Sequence, residues 1–335
     1  LGEEVITIAH GGGGTRMREL LEREIFPILG LNEPYFSEDA AILDAPGKKI
    51  AVTTDSYVVQ PIFFPGGDIG KLAICGTVND LSMRGAVPLF ITLGLVLEEG
   101  LPLNTLRKVL ESISLWAKEA NVRIVAGDTK VVGRGQADGL YINTSGVGYL
   151  KDNCEISLSA ARPGDLLVIN GYIGDHGIAV LGGRDGTPFE TGVESDCAPL
   201  SRLVSEMISS GEIHALHDPT RGGLASALKE MAQASRCEFV IEESSIPIRD
   251  NVKAVCEMLG LDPLYVANEG KLLASIPEAC VNDILRAMRK NPYGRSSVVI
   301  GKVVEGRAGS VVLLTPMGTK KILRIPSGEQ LPRIC

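Results

Sequence analysis

No Cys-x-x-Cys pair occurs in this chain, and its seven cysteines are odd in number: Cys75, Cys154, Cys197, Cys237, Cys256, Cys280 and Cys335. That pattern excludes a disulfide framework and a structural zinc site, and leaves the six internal thiols as ordinary small hydrophobes. An excess of positive charge is also missing. At a formal charge of −8 the protein offers nothing general to nucleic acid or to an anionic membrane. Long apolar runs are absent too, the longest, Leu89 to Leu97, being too short to span a bilayer. No secretory apolar segment opens the chain, so the expectation is a soluble, cytoplasmic protein. Neither a fixed-period repeat nor a low-complexity tract is present. What remains is a globular chain, 44% hydrophobic and 22% charged, working on small molecules or on other proteins. Any anion it binds must be held by local devices such as glycine-rich amide nests, helix N-termini or metal ions.

A length of 335 residues suggests about two domains. The character of the sequence changes between Lys151 and Pro163, and Pro163-Gly164-Asp165 turns into a fresh strand, Leu166 to Asn170. The expected division is therefore an N-terminal domain over 1–152, a C-terminal domain over 153–320 and a tail over 321–335. Both domains read as α/β. In the first, strands over Ile50–Thr54, Val87–Leu97, Val122–Ala126 and Leu140–Tyr149 accompany helices over Asp68–Arg84 and Leu103–Ala120. The second helix keeps an apolar i, i+3, i+4, i+7 face throughout, from Leu106 to Ala120. In the second domain, helices near Ser201–Ser209, Leu224–Met231 and Asn282–Lys290 alternate with apolar runs at Leu272–Ile276, Ser297–Val304 and Ser310–Thr315.

Acids recur where strands end. Asp39 follows Ser37-Glu38, Asp55 closes Ile50–Thr54, and Asp128 closes Val122–Ala126 within Gly127-Asp128-Thr129-Lys130. Asp80 is the odd one. At 100° per residue it falls at the centre of the apolar face of the Asp68–Arg84 helix, where packing wants a hydrophobe, so it is paired, metal-bound or beyond the end of a shorter helix. Four such carboxylates with no histidine or cysteine nearby suit Mg²⁺ and a polyphosphate better than zinc. Glycine supplies the second theme. His10-Gly11-Gly12-Gly13-Gly14 can turn its amides toward a phosphate, but neither P-loop nor Rossmann spacing is present. His217-Asp218-Pro219-Thr220-Arg221-Gly222-Gly223 opens a helix and reads either as caps or as an anion seat. Asn268-Glu269-Gly270-Lys271 breaks an apolar run, and its charges are compatible with a solvated turn.

The chain ends Pro332-Arg333-Ile334-Cys335. Pro326, Gly328 and Pro332 oppose helix, so the tail is expected to be a mobile arm, and its ten residues from Pro326 span roughly 30 Å when extended. A terminal thiol is either a working group or a chance residue on a frayed end.

Taken in order, His10–Gly14, Asp39-Ala40-Ala41, Thr53-Thr54-Asp55, Val78-Asn79-Asp80, Ala126–Lys130, His217–Gly223, Asn268–Gly270 and the Pro332–Cys335 terminus resemble the HypE family, the carbamoyl dehydratases of nickel–iron hydrogenase maturation. That family lies within the aminoimidazole ribonucleotide synthetase superfamily, and the resemblance spans the chain. Two departures are the uninterrupted glycines and Glu38 before Asp39. The resemblance implies a two-domain fold of mixed sheets packed with helices, a homodimer joined through the N-terminal sheet, and ATP with Mg²⁺. A HypF-type carbamoyltransferase would load Cys335 with a carboxamide, which this chain would dehydrate to a thiocyanate. The cyanide would then pass to a HypC–HypD iron carrier. Asp39, Asp55, Asp80 and Asp128 would hold the metal. Gly11, Gly12, Gly13, Gly14 and Asn79 would line the nucleotide site, together with Thr129, Asp218, Arg221 and Gly222. Glu269 or Lys130 would take the nitrogen protons, Glu269 being favoured because a carboxylate accepts a proton at neutral pH without a shifted pKa, and His217 is the next candidate. Two rivals are another ATP-dependent activity of the superfamily, which leaves Cys335 idle, and a nucleotide-gated thiol carrier that performs no chemistry.

Overall fold

The computed structural model describes residues 14–20, 22, 41–45, 48–151, 154–184, 186, 191–325, 331 and 333–335. Among them the first domain carries α1 (Thr15–Leu20), β1 (Ala41–Ala45), β2 (Lys48–Tyr57), the short β3 (Phe63–Phe64) and β4 (Gly67–Asp68), α2 (Ile69–Met83), β5 (Ala86–Glu98), α3 (Leu103–Glu119), β6 (Arg123–Val132) and β7 (Leu140–Leu150). Its sheet has five strands in the order β1-β2-β7-β5-β6, antiparallel except for the parallel pair β5/β6. Period-two alternation sends Ile91, Leu93 and Leu95 of β5 and Leu140 and Ile142 of β7 inward, where α2 lies on the sheet and α3 packs on α2. The apolar stripe expected on Leu103–Ala120 is that contact: Val109, Ile113 and Ala117 are buried.

The second domain holds β8 (Asp165–Ile169), α4 (Asp175–Gly182), α5 (Ser201–Ser210), β9 (Ala215–His217), α6 (Gly223–Ser235), β10 (Glu238–Glu242), α7 (Asp250–Leu259), β11 (Leu273–Pro277), α8 (Val281–Lys290), β12 (Val298–Val304), β13 (Val311–Leu314) and β14 (Lys320–Ile322). Seven strands run β14-β13-β10-β12-β8-β11-β9. Alternate residues of β8 feed opposite cores. Leu167 and Ile169 meet Leu224, Leu228 and Met231 of α6, while Val168 meets Leu203 and Met207 of α5 and Ile284 and Met288 of α8. No described helix is long and apolar enough to cross a membrane.

Two strands run past the acids expected to end them. β2 continues to Tyr57 and β6 to Val132, so Asp55 and Asp128 stand inside strands. An acid reads as a strand stop when each residue is assumed to be buried, but one lies at the domain junction and the other on an edge strand, where a charge is tolerated.

Candidate active site

The N-terminal domain supplies acids on one face. Asp68 caps α2, its Oδ1 accepting the Gly70 and Lys71 amides at 2.7 and 3.1 Å, and the helix then runs unbroken to Met83. Asp80 is thus inside the helix, turned toward β2, where Thr53 Oγ1 donates to its Oδ2 at 2.8 Å. Alternation places Asp55 and Tyr57 on that same face of β2. The buried Tyr57 phenol, 3.2 Å from Thr77 Oγ1, is pushed well up by burial and then by the charges of Asp55 and Asp80. Gly76 is required beneath it, since a Cβ there would lie 2.5 Å from the phenol oxygen.

The C-terminal domain closes over these acids with the loop after β9. Gly222 and Gly223 take left-handed φ values of 79° and 63°, and a Cβ on Gly223 would meet the Leu264 and Val266 carbonyls at 2.6 and 2.7 Å. Among the described residues no side chain caps α6, and the buried Ser226 Oγ in its first turn makes no hydrogen bond. Arg221 belongs to the same group as Asp55. Burial raises the Asp55 carboxyl, Arg221 is the strongest influence pulling it down, and Asp218 pushes it up.

Glu269 stands where the two domains meet, 4% exposed, with no hydrogen bond to its Oε1. Burial holds its carboxyl well above the ordinary 4.5, and the neighbouring Cys197, Asp218, Asp55 and Asp196 push the same way. The turn is therefore buried rather than solvated. The reason for favouring Glu269 as base also changes, because its pKa is strongly shifted. Its backbone is held from both domains. Asp196 accepts the Glu269 and Gly270 amides at 3.2 Å each, and Asn79 Nδ2 donates to the Glu269 and Ala198 carbonyls at 3.2 and 3.1 Å. Asn79 Oδ1 accepts the Leu200 amide at 2.8 Å, so this side chain, expected at the nucleotide, is committed to the domain junction. Burial pushes Asp196 up, but Lys271, 3.0 Å away, and the other donors outweigh it and keep it below the usual carboxylate range.

The tail ends at the same junction. Val58 and Gln60, just past β2, donate their amides to the main-chain oxygen of Cys335 and the carbonyl of Arg333 at 3.3 and 3.1 Å. Arg333 has φ 57°, donates from Nε to the Val58 carbonyl and pairs through Nη1 with Asp138 at 2.5 Å. Ile334 is buried and Cys335 half-buried against the first core. The described end of the expected arm is thus docked, on its own chain. Pro326, Gly328 and Pro332, on which the expectation rested, lie outside the described residues, and a segment without regular structure can still dock through its backbone.

Other expected residues lie elsewhere. Gly11, Gly12, Gly13 and Asp39 fall outside the described residues. Gly14 precedes α1, whose Arg18 bonds Gln233 of α6, ten residues and about 15 Å along the helix from Gly223. His217 Nε2 is 2.8 Å from Glu230. Asp128, Thr129 and Lys130 are on the exposed edge strand. Register aligns Asp128 with Gly94, Asn143 and Ser56, the neighbour of Asp55, so Asp128 and Asp55 face opposite sides, three strand steps or about 14 Å apart. Convergence of Asp55, Asp80 and Asp128 within one chain is therefore corrected. Among the described residues no three acids, histidines or cysteines gather as a metal cluster. Conversely, His176, Ser195, Asp196 and Lys271 belong to the junction with no role foreseen. His176, Ser195 and Asp196 bond backbone groups of distant segments and Lys271 pairs with the Asp196 carboxylate, none of which leaves a local pattern.

Residues 37–150 match the family model of the AIR synthase related protein N-terminal domain, and 162–314 that of its C-terminal domain. Carbamoyl dehydratase HypE of Rhodobacter capsulatus is 47% identical over 339 residues, covering 100% of this chain and 99% of its own; the Escherichia coli HypE is 42% identical over 98% and 99%. The chain belongs to the HypE family. A solved HypE–HypF complex superposes with TM-score 0.86 at 45% identity, covering 91% of this chain and 99% of that one. HypE in complex with ATP superposes with TM-score 0.83 at 44% identity, over 99% and 100%. A thiamine monophosphate kinase from Aquifex aeolicus, at 21% identity and TM-score 0.67 over 92% of this chain and 99% of that one, shares the fold.

Proposed function

We infer that this HypE-family chain dehydrates a carboxamide carried on Cys335 to a thiocyanate, using ATP, and so makes the cyanide for a hydrogenase iron centre. The observation that carries the reading is the docking of the terminal cysteine at the junction that also buries Glu269. Going from S–C(=O)–NH2 to S–C≡N removes one oxygen and two protons. ATP supplies the chemistry that turns the amide oxygen into a leaving group.

The residues fit an anionic nucleotide. An uncapped α6 N-terminus with two left-handed glycines, a buried unbonded Ser226 hydroxyl and the Arg221 cation make a seat for phosphate oxygens. Mg²⁺ is often bound by one or two carboxylates plus phosphates, and Asp55 and Asp80, on facing elements, are the described acids that would hold it. Glu269 accepts a nitrogen proton once ionised, and its raised pKa makes it the stronger base for that task.

The HypE–HypF structure supports a HypF-type carbamoyltransferase as the enzyme that loads Cys335, and delivery to a HypC–HypD carrier belongs to the same reading, set in the cytoplasm. The division into 1–152, 153–320 and a tail is supported by the two family matches. A homodimer is supported by β6, an edge strand that exposes Ile124, Val125 and Val131, and such a partner would bring Asp128 and Lys130 to the other subunit's cleft. Intact mass of the carbamoylated protein before and after Mg²⁺-ATP tests the function. Loss of one water is expected; a carboxamide mass that persists, or leaves whole, overturns it.

A further inference from the structure

The ring of His176, in the first turn of α4, is fully buried and lies edge-on to Phe64 with centroids 5.4 Å apart. Its Nε2 is 2.9 Å from the carbonyl oxygen of Ile334, and its Nδ1 is 2.8 Å from Ser195 Oγ. A carbonyl only accepts, so Nε2 carries the proton; burial keeps the ring neutral, and the Ser195 hydroxyl donates to Nδ1. Ser195 in turn donates its amide to the Pro65 carbonyl of the first domain at 2.8 Å. The next residue, Asp196, is the one that accepts the Glu269 and Gly270 amides. Two residues further, the Ala198 and Glu269 carbonyls share the Asn79 amide.

We propose that His176 is the positioning residue that registers the tail, and that residues 195–198 tie that register to the placement of Glu269. The bond falls on the penultimate carbonyl, one residue before the thiol, and reads backbone rather than side chain. A slip of one residue along an extended tail would move the thiol by about 3.4 Å, enough to take it out of reach of a fixed base. A buried ring clamped by Phe64 and Ser195 presents its donor already aimed, so little entropy is lost when the tail seats. Because one short segment bonds His176 at Ser195 and the Glu269 backbone at Asp196, displacing either end strains the other. The rate consequence rests on the dehydratase reading; the seating of the tail does not.

The test uses the full chain and two readouts: pulse alkylation of Cys335 by iodoacetamide, resolved at the peptide level, and single-turnover water loss from the carbamoylated protein at saturating Mg²⁺-ATP. His176→Phe keeps the ring but removes the donor, leaving a buried carbonyl unbonded. Cys335 alkylation should accelerate and water loss should slow by roughly ten- to hundredfold each, with the KM for ATP unchanged. His176→Gln, which carries an amide donor near the Nε2 position, should restore most of both. Ser195→Ala, which never touches the tail, should move both readouts in the same direction. If His176→Phe does not fold, His176→Asn, able to satisfy Ser195 but too short for Ile334, carries the same expectation. A folded donor-less variant alkylated at the wild-type rate, a Gln variant as impaired as Phe, or an inert Ser195→Ala overturns the proposal. Should wild-type carbamoylated protein itself keep its water, the dehydratase reading falls while the alkylation arm still decides the latch.

Discussion

Asn268-Glu269-Gly270-Lys271 and Gly127-Asp128-Thr129-Lys130 have the same shape in the sequence: an apolar run, then an acid two residues before a lysine. In the structure they share nothing. Glu269 is buried without a partner for Oε1, and Lys271 is sunk against Asp196. Asp128 and Lys130 are 69% and 71% exposed and pair with each other. What differs is the next element. The first segment is closed over by the loop of Asp196 and by Asn79 from the other domain, whereas β6 has no strand on its far side among the described residues. A motif's chemistry is set by what covers it, so one candidate base is buried and the other stands in solvent.

The largest effect is expected from Glu269→Gln. It is nearly isosteric and removes the ionisable proton acceptor, so the single-turnover rate of water loss should fall by roughly 10²- to 10⁴-fold while carbamoylation of Cys335 persists. In wild type the rate should rise with pH through a value above the ordinary 4.5, because the raised carboxyl must ionise before it accepts a proton. A Gln variant that dehydrates at the wild-type rate moves the role to Lys130.

Next is Asn79→Ala. Three hydrogen bonds at the junction go at once: the buried Leu200 amide and the Ala198 carbonyl lose this partner, and the Glu269 carbonyl keeps only the long 3.5 Å bond from the Ala198 amide. The cost should be roughly 2–4 kcal/mol, read as a drop of several degrees in the thermal midpoint. An unchanged midpoint with weakened ATP binding would instead return Asn79 to the nucleotide site.

A smaller effect separates Glu269 from Lys130 by pH. The native chain keeps the Glu269 proton where the unfolded chain, ionising near 4.5, has lost it. The native state therefore binds more protons, and this contribution to stability, fully present below 4.5, is lost as pH climbs through the raised native value. Glu269→Gln removes that slope. The midpoint of the variant relative to wild type should rise with pH across the window, and parallel profiles would mean that Glu269 is ionised in the folded protein.

Much of this was legible in the sequence where periodicity carried it. The α2 and α3 helices and the β5 and β7 strands follow from apolar spacing, and Asp80 declared itself as an acid on an apolar face. The cysteine at position 335 was legible as a suspicious thiol. Where the tail rests was not, because the groups that hold it, on Val58, Gln60, Asp138 and His176, lie far away in the chain. The burial of Glu269 was not legible, and a solvated turn stayed open, because the Asp196 and Asn79 that cover it lie 73 and 190 residues away in the chain. Asp128 was grouped with Asp55 because both close apolar runs. Strand order and a one-residue difference in facing separate them, and neither is a local property of the sequence.

The smallest expected effect on stability, and the sharpest test of the comparison, is at Lys130. An exposed pair between neighbouring side chains on an edge strand contributes little in water, so Lys130→Ala should leave the thermal midpoint unmoved within error. Its activity need not be spared. If the exposed β6 of one subunit serves the cleft of its partner, a Lys130→Ala subunit still offers an intact Glu269, and a Glu269→Gln subunit still offers an intact Lys130. Mixing the two inactive proteins under conditions of subunit exchange then rebuilds complete clefts in the mixed dimers, and water loss from carbamoylated Cys335 should return in part. If instead Lys130 acts within its own chain, no mixed dimer contains a complete cleft, and the mixture stays as inactive as its components. The about 14 Å across three strand steps between β2 and β6 favours the first outcome, because a lysine side chain about 6 Å long, on the face turned away from Asp55, cannot close that gap inside one subunit.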